Sequence, residues 1–221
     1  KDYLLQSKSD FSILAISGYK SLNFLEEIFY NTNNLGILSK EAIVSAGHIF
    51  KKKKYFVKTN IFPLDSEHFS LFEYLKGNYL FEKTKKIILT ASGGPFFNKK
   101  FKNLKNIKFQ DAINHPKWNM GYKNSIDSAT LVNKCLELIE AHYLFQIPFE
   151  KLSIKIHPEA LVHSIVQKEN YVSHMNFFRN DMDIPISNFL NQNYKKFKIN
   201  NKKLEINEDS NLNFFEVTKE N

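Results

Sequence analysis

Two periodicities alternate through residues 1–64, and this alternation constrains the fold more than any other feature. Residues 12–17 form an apolar run of strand length that Gly18 breaks. Ser21 can open a helix in which Leu22, Leu25 and Phe29 recur at helical spacing. The Asn-rich residues 31–34 predict a turn, and residues 35–38 a second short buried strand. A helix is expected over about 41–51 and a third strand over 60–64. Strand, helix, strand, helix, strand is the grammar of a parallel α/β layer. This stretch contains no GxGxxG turn or other Gly-rich nucleotide loop. If the layer belongs to a dinucleotide-binding domain, it is that domain's second half. The first residue is Lys1 rather than Met, and no basic-then-apolar leader follows. The expectation is a chain that begins inside a longer sequence.

The pattern then changes. Residues 87–90 read as a strand entering Ala91-Ser92-Gly93-Gly94-Pro95. A long polar stretch over 97–124 holds His115 and the only tryptophan, Trp118. Residues 128–145 give the clearest helical pattern, with Val132, Cys135, Leu136, Ile139 and Tyr143 as its apolar stripe. Residues 152–156 and 171–177 alternate like strands. After Pro185 the chain turns Asn- and Lys-rich and reads as a linker.

Bulk properties narrow the function classes. With 221 residues, 43% of them hydrophobic, the chain can form one full domain and part of another. No apolar run reaches the roughly 18 to 20 residues that span a bilayer. A single cysteine, Cys135, excludes an intrachain disulfide and fits a reducing compartment. Its place in the apolar stripe predicts a core position. The net charge of +8 is compatible with plain solvation, with a field that draws in anionic substrates, or with nucleic-acid binding. Charge alone speaks for the last, since no DNA- or RNA-binding motif is present.

Several groups could carry chemistry. Asp65 and Glu67 stand two apart at the end of the third strand, so on an extended segment both carboxylates point the same way, with Ser66 aimed elsewhere. A solvated acidic turn explains the same residues. Asn133, Glu137 and Glu140 share the helix face opposite the apolar stripe, next to Lys134. They suit either a bound anion and metal or a solvated surface. Oxygen-only ligands favour Mg²⁺ or Mn²⁺ over Zn²⁺. The Ser92-Gly93-Gly94 turn can offer N–H and hydroxyl donors to an oxyanion, or be a plain turn. Ser128 near a helix start can face a phosphate or simply cap the helix. His157 and His163 fit structural hydrogen bonding, and Trp118 on a polar loop could close over a ligand.

In order and spacing these stretches resemble one family. They are Pro63-Leu64-Asp65-Ser66-Glu67-His68, the turn from Thr90 to Phe96, His115-Pro116-Lys117-Trp118-Asn119-Met120-Gly121, and Asp127-Ser128-Ala129-Thr130 with Asn133-Lys134 and Leu136-Glu137. Ile156-His157-Pro158 with Val162-His163-Ser164, and Asp181-Met182 with Pro185-Ile186, complete the series. The chain is similar to 1-deoxy-D-xylulose 5-phosphate reductoisomerases over roughly residues 12–190.

The resemblance implies an α/β chain: the second half of a Rossmann-like NADPH-binding layer over 1–60, an α+β catalytic domain over 61–190, and a linker over 191–221 toward a further domain. It implies an NADP-dependent oxidoreductase and isomerase that converts 1-deoxy-D-xylulose 5-phosphate to 2-C-methyl-D-erythritol 4-phosphate for isoprenoid synthesis. Asp65, Glu67 and Glu137 would hold Mn²⁺ or Mg²⁺. Ser92, Ser128, Asn133 and Lys134 would grip the substrate phosphate, with His115 closing over it. Lys134 and His115 count among the catalytic groups. Lys40 and Ser66 match substrate contacts, and Trp118 and Met120 would cover the site. Ser39, Glu41, Gly121 and Met120 match the NADPH side. A homodimer in a bacterial cytoplasm or a plastid is expected, with no nucleic-acid or membrane partner, and this stretch alone is expected to be inactive.

The sequence departs from the family at Ser39 (usually Asn), at Tyr19-Lys20-Ser21 (usually a small Gly-containing turn), at Cys135 (usually Gly) and at Asp183 (usually Arg). These departures motivate an alternative, a diverged homologue that binds sugar phosphate and metal without reducing anything.

Overall fold

The computed structural model describes residues 6–50, 59–76, 83–97, 99, 107–114, 121–192 and 211–218. It shows a mixed α/β architecture in two compact units. One unit comprises residues 1–79, 139–148 and 181–202, and the other 80–138, 149–180 and 203–221.

The first unit is built on a parallel sheet in the order β1-β2-β3, with β1 Ser9–Leu14, β2 Thr32–Ile37 and β3 Asn60–Pro63. A 3-10 turn over Tyr19–Phe24, helix α1 (Leu25–Asn31) and helix α2 (Lys40–Phe50) connect the strands and cover them. Leu35, Ile37, Ala42 and Ile43 are fully buried between sheet and helices. Burial of each of these Leu and Ile side chains contributes roughly 1.5 to 3 kcal/mol. The alternating strand and helix pattern thus yields the expected parallel layer.

The boundaries differ in two places. Residues 32–34 are strand rather than turn: Thr32 is buried and shares its hydroxyl with Ser12 (2.8 Å), and Asn34 Nδ2 donates to the Asp10 carbonyl (3.0 Å). Neighbouring strands supply the partners that Asn would otherwise seek in a turn. Ser21 does not cap a helix. It lies inside the 3-10 turn, and its hydroxyl donates to the Gly18 carbonyl (2.7 Å).

After β3, helix α3 spans Ser66–Leu75. Where the sequence reads as a linker after Pro185, helix α7 (Asp183–Asn191) forms and buries Phe189 against Phe11 and Phe62.

The second unit holds a five-stranded sheet in the order β7-β6-β4-β5-β8. Its strands are β4 Thr84–Ala91, β5 Leu152–Ile156, β6 Val162–Lys168, β7 Ser173–Phe177 and β8 Phe215–Glu216. Only β4 and β5 run parallel. Helix α4 (Phe109–Ile113) lies within the long polar stretch 97–124, and helix α5 (Tyr122–Ala129) begins at its end. Helix α6 (Val132–Phe145) begins in this unit and ends in the first.

The expected single helix over 128–145 is therefore two. Leu131 adopts φ 59, its N–H bonds the Ser128 carbonyl (3.2 Å), and its own carbonyl accepts from Lys134 and Cys135. A left-handed residue ends one helix while its carbonyl starts the next. No Gly or Pro marks the break.

Candidate functional site

In the first unit, the end of β3 leads into Asp65, the N-cap of α3. Its side chain accepts from the Glu67 N–H (3.2 Å). Asp65 and Glu67 are thus not on an extended segment, and strand alternation does not orient them. They meet because a capping carboxylate and an acidic residue in the first turn both favour the positive end of the helix dipole. Ser66 is not turned away either, since its hydroxyl donates to Glu67 Oε2 (2.6 Å).

Lys40, the first residue of α2, pairs its ammonium with Asp65 Oδ2. His68 Nδ1 lies 3.1 Å from Asp65 Oδ1 and 3.3 Å from Glu140 Oε2. The ring is fully buried and stacks on Phe145. His68 is the neighbour that sequence reasoning missed; its signal is the i, i+3 spacing from Asp65 once Asp65 is seen as a helix cap. Ser39 is buried and donates to the Ile16 (2.6 Å) and Leu14 (3.2 Å) carbonyls, so it closes the end of β1. Glu41 stands half-buried in the first turn of α2.

In the second unit, β4 delivers Ser92 to a turn in which Gly93 and Gly94 have φ 86 and 66. A Cβ on Gly93 would stand 2.7 Å from Phe97 Cβ, and one on Gly94 3.0 Å from the Ser128 carbonyl. Both backbone conformation and space therefore demand glycine. Ser92 Oγ accepts from the Gly94 N–H (3.4 Å). Ser128 lies in the last turn of α5, not at a helix start, so a helix-dipole reading of Ser128 fails. It instead abuts the Gly94 backbone.

Helix α6 buries charge on the face expected to be solvated, while Leu136, Ile139 and Tyr143 of the expected apolar stripe are half-buried and Tyr143 packs on the first unit's core. Lys134 (5% exposed), Glu137 (1%) and Glu140 are buried, while Val132 is 45% exposed and Cys135 is exposed. Cys135 is thus not a core residue. Two of these charges pair: Lys134 Nζ sits 2.6 Å from Glu137 Oε2, and Asn133 Nδ2 donates to Glu137 Oε1 (2.5 Å). Glu137 and Glu140 follow one another by one helical turn.

Gly121 is exposed and precedes α5. His115, Trp118 and Met120 lie outside the described residues. His157 and His163 are buried, and their rings meet the Asn213 (2.8 Å) and Phe178 (3.1 Å) carbonyls. No helix among the described residues is long and apolar enough to cross a membrane.

Each unit of this mixed α/β chain thus buries ionisable side chains: Asp65, His68 and Glu140 in the first, Lys134 and Glu137 in the second. The sequence profile of the 1-deoxy-D-xylulose 5-phosphate reductoisomerase C-terminal domain matches residues 61–145. The 1-deoxy-D-xylulose 5-phosphate reductoisomerase of Clostridium tetani is 40% identical over 212 residues, 96% of this chain and 53% of that protein. That of Pelagibacter ubique is 40% identical over 98% of this chain and 55% of its own length. Among solved structures, DOX-P reductoisomerase in complex with NADPH, fosmidomycin and magnesium superposes with a TM-score of 0.86 at 31% identity, over 97% of this chain and 54% of that one. The Zymomonas mobilis enzyme in complex with NADPH gives a TM-score of 0.82 at 30% identity, over 98% of this chain and 55% of that one. The chain belongs to the 1-deoxy-D-xylulose 5-phosphate reductoisomerase family. It spans about half the length of the curated relatives it matches.

Proposed function

We propose that this chain supplies the metal- and phosphate-binding part of an enzyme that isomerises 1-deoxy-D-xylulose 5-phosphate and reduces it with NADPH to 2-C-methyl-D-erythritol 4-phosphate. The observation that carries this reading is the charge buried on α6. Beside its half-buried Leu136, Ile139 and Tyr143 this helix buries Lys134, Glu137 and Glu140. Desolvating charges costs several kcal/mol each, so a buried ionic face is retained where it serves a site.

Asp65, Glu67 and Glu137 would hold a divalent cation. They fit one by chemistry: all three donors are carboxylate oxygens, the set that a hard ion such as Mg²⁺ or Mn²⁺ takes. Such an ion, when bound, polarises carbonyl and hydroxyl oxygens of the substrate, and NADPH supplies the hydride. The residues of the chain do the rest. Lys40 orients Asp65 through its ion pair. Ser66 holds the Glu67 carboxylate through its hydroxyl. Ser92, Ser128, Asn133 and Lys134 would bind the phosphate, with charge from the lysine and hydrogen bonds from the others. His115, Trp118 and Met120 would close over the substrate and exclude water. Ser39, Glu41, Gly121 and Met120 would meet the nicotinamide cofactor. The protein would act as a homodimer in a bacterial cytoplasm or a plastid.

The test is NADPH oxidation by the full-length protein, followed by the loss of NADPH absorbance. Oxidation that needs both the sugar phosphate and Mn²⁺ or Mg²⁺ supports the reading. Binding of substrate and metal without any oxidation sinks it, and establishes the non-reducing homologue that Tyr19, Ser39 and Asp183 suggest.

A further inference from the structure

Residues 211–218 form a strap along the second unit. Leu212 and Phe214 pack on the core of Ile88, Val162 and Ile165. Phe214 also stacks on the His157 ring, with centroids 4.6 Å apart at 16°. Asn213 is fastened at three points: its carbonyl meets His157 Nδ1 (2.8 Å), and its backbone N–H and side-chain amide donate to Glu159 (3.3 and 2.6 Å). Strand β8 then pairs with β5, Phe215 opposite Ile156, and Glu216 reaches Lys155 (2.7 Å).

These contacts fix where the Phe215 ring sits. It lies against Phe97, with centroids 5.3 Å apart at 57°. Phe97 in turn closes on Gly93, together with Ile156, the residue that β8 pairs with. On its other side the Gly93-Gly94 turn meets the backbone of Ser128 and Ala129. The turn is thus held between α5 and an aromatic pair whose outer member belongs to the strap.

We propose that Phe215 is a positioning residue. Through Phe97 it sets the Ser92-Gly93-Gly94 turn, and with it the affinity of that turn for a phosphate group. This rests on the reading above that the turn binds the substrate phosphate.

The experiment titrates inorganic phosphate into the full-length protein and follows the Gly93 and Gly94 amide resonances. Phe215→Ala is expected to weaken phosphate binding about five- to tenfold, the range that an aromatic pair contact supports. Hydrogen exchange at residues 93, 94, 96 and 97 should quicken in the same variant. Phe215→Leu should recover most of the affinity, and Val217→Ala, on the same strap, should leave it unchanged. Unchanged phosphate affinity in a folded Phe215→Ala variant overturns the proposal, even if exchange quickens. So does an equal loss in Val217→Ala, or no amide response to phosphate in the unsubstituted protein. Phosphate binding that behaves as expected in a protein that never oxidises NADPH would refute the reductoisomerase reading while leaving the strap's role in place.

Discussion

Lys134 Nζ lies 2.6 Å from Glu137 Oε2 along one turn of α6, and both side chains are buried. Breaking such a pair leaves one charge buried alone, which costs more than the pair contributes. In metal-free protein, Lys134→Met should therefore destabilise by about 3 to 5 kcal/mol. The double variant Lys134→Met with Glu137→Gln should recover most of that loss. Urea denaturation in EDTA of the two single variants and the double closes the cycle. Additive losses would show that the two side chains do not depend on each other.

Gly93→Ala should cost about 1 to 3 kcal/mol, because φ 86 is strained for alanine and the new Cβ would meet Phe97 at 2.7 Å. Thermal unfolding reads the loss. A variant as stable as its parent would mean that the turn relaxes freely.

Gln146 offers the reverse. It is exposed, follows the last residue of α6 and adopts φ 55. Glycine takes this C-terminal position without the left-handed penalty, so Gln146→Gly should stabilise by about 0.5 to 1 kcal/mol. The midpoint of urea unfolding should rise.

The strap should loosen in acid. Partial burial opposes ionisation of Glu159, but hydrogen bonds from the Asn213 side chain, from its own backbone and from the Asn213 backbone, with the charge of His157, hold its carboxyl below the usual range. A carboxyl lowered in the folded state contributes stability that is present in full above its ordinary value of 4.5 and is lost as pH falls through the lower folded value. The protection of the Asn213 amide, its exchange rate relative to that of the unfolded chain at the same pH, should fall across that window. In Glu159→Gln this pH dependence should disappear.

Much of this was legible in the sequence because it is local. The parallel β1-β2-β3 layer follows from short apolar runs separated by helical spacing, and β4 with its Ser-Gly-Gly-Pro turn follows from small residues after an apolar run. Features that depend on tertiary partners were not legible. Leu131 carries no sign of a break, because a left-handed leucine is tolerated only where flanking helices hold it. Asp65 and Glu67 read as a strand end or a solvated turn, and only the Asp65 cap reveals the helix that starts there. Glu137 and Lys134 look like a solvated face until their pairing is seen. The strap at 211–218 follows an Asn- and Lys-rich stretch whose composition gives no hint that Phe214 and Phe215 have places on the sheet.

Manganese titration of metal-free, full-length protein, read by the loss of the free-ion spin-resonance signal, tests the central claim most directly. One ion per chain is expected, with affinity falling about 100-fold or more in Glu137→Gln and in Asp65→Asn. Asparagine still caps α3, so the second variant should keep its fold. Glu73→Gln, on the outer face of the same helix, should bind as the parent does. Unchanged manganese affinity in both Glu137→Gln and Asp65→Asn would contradict the assignment of Asp65, Glu67 and Glu137 as the metal ligands.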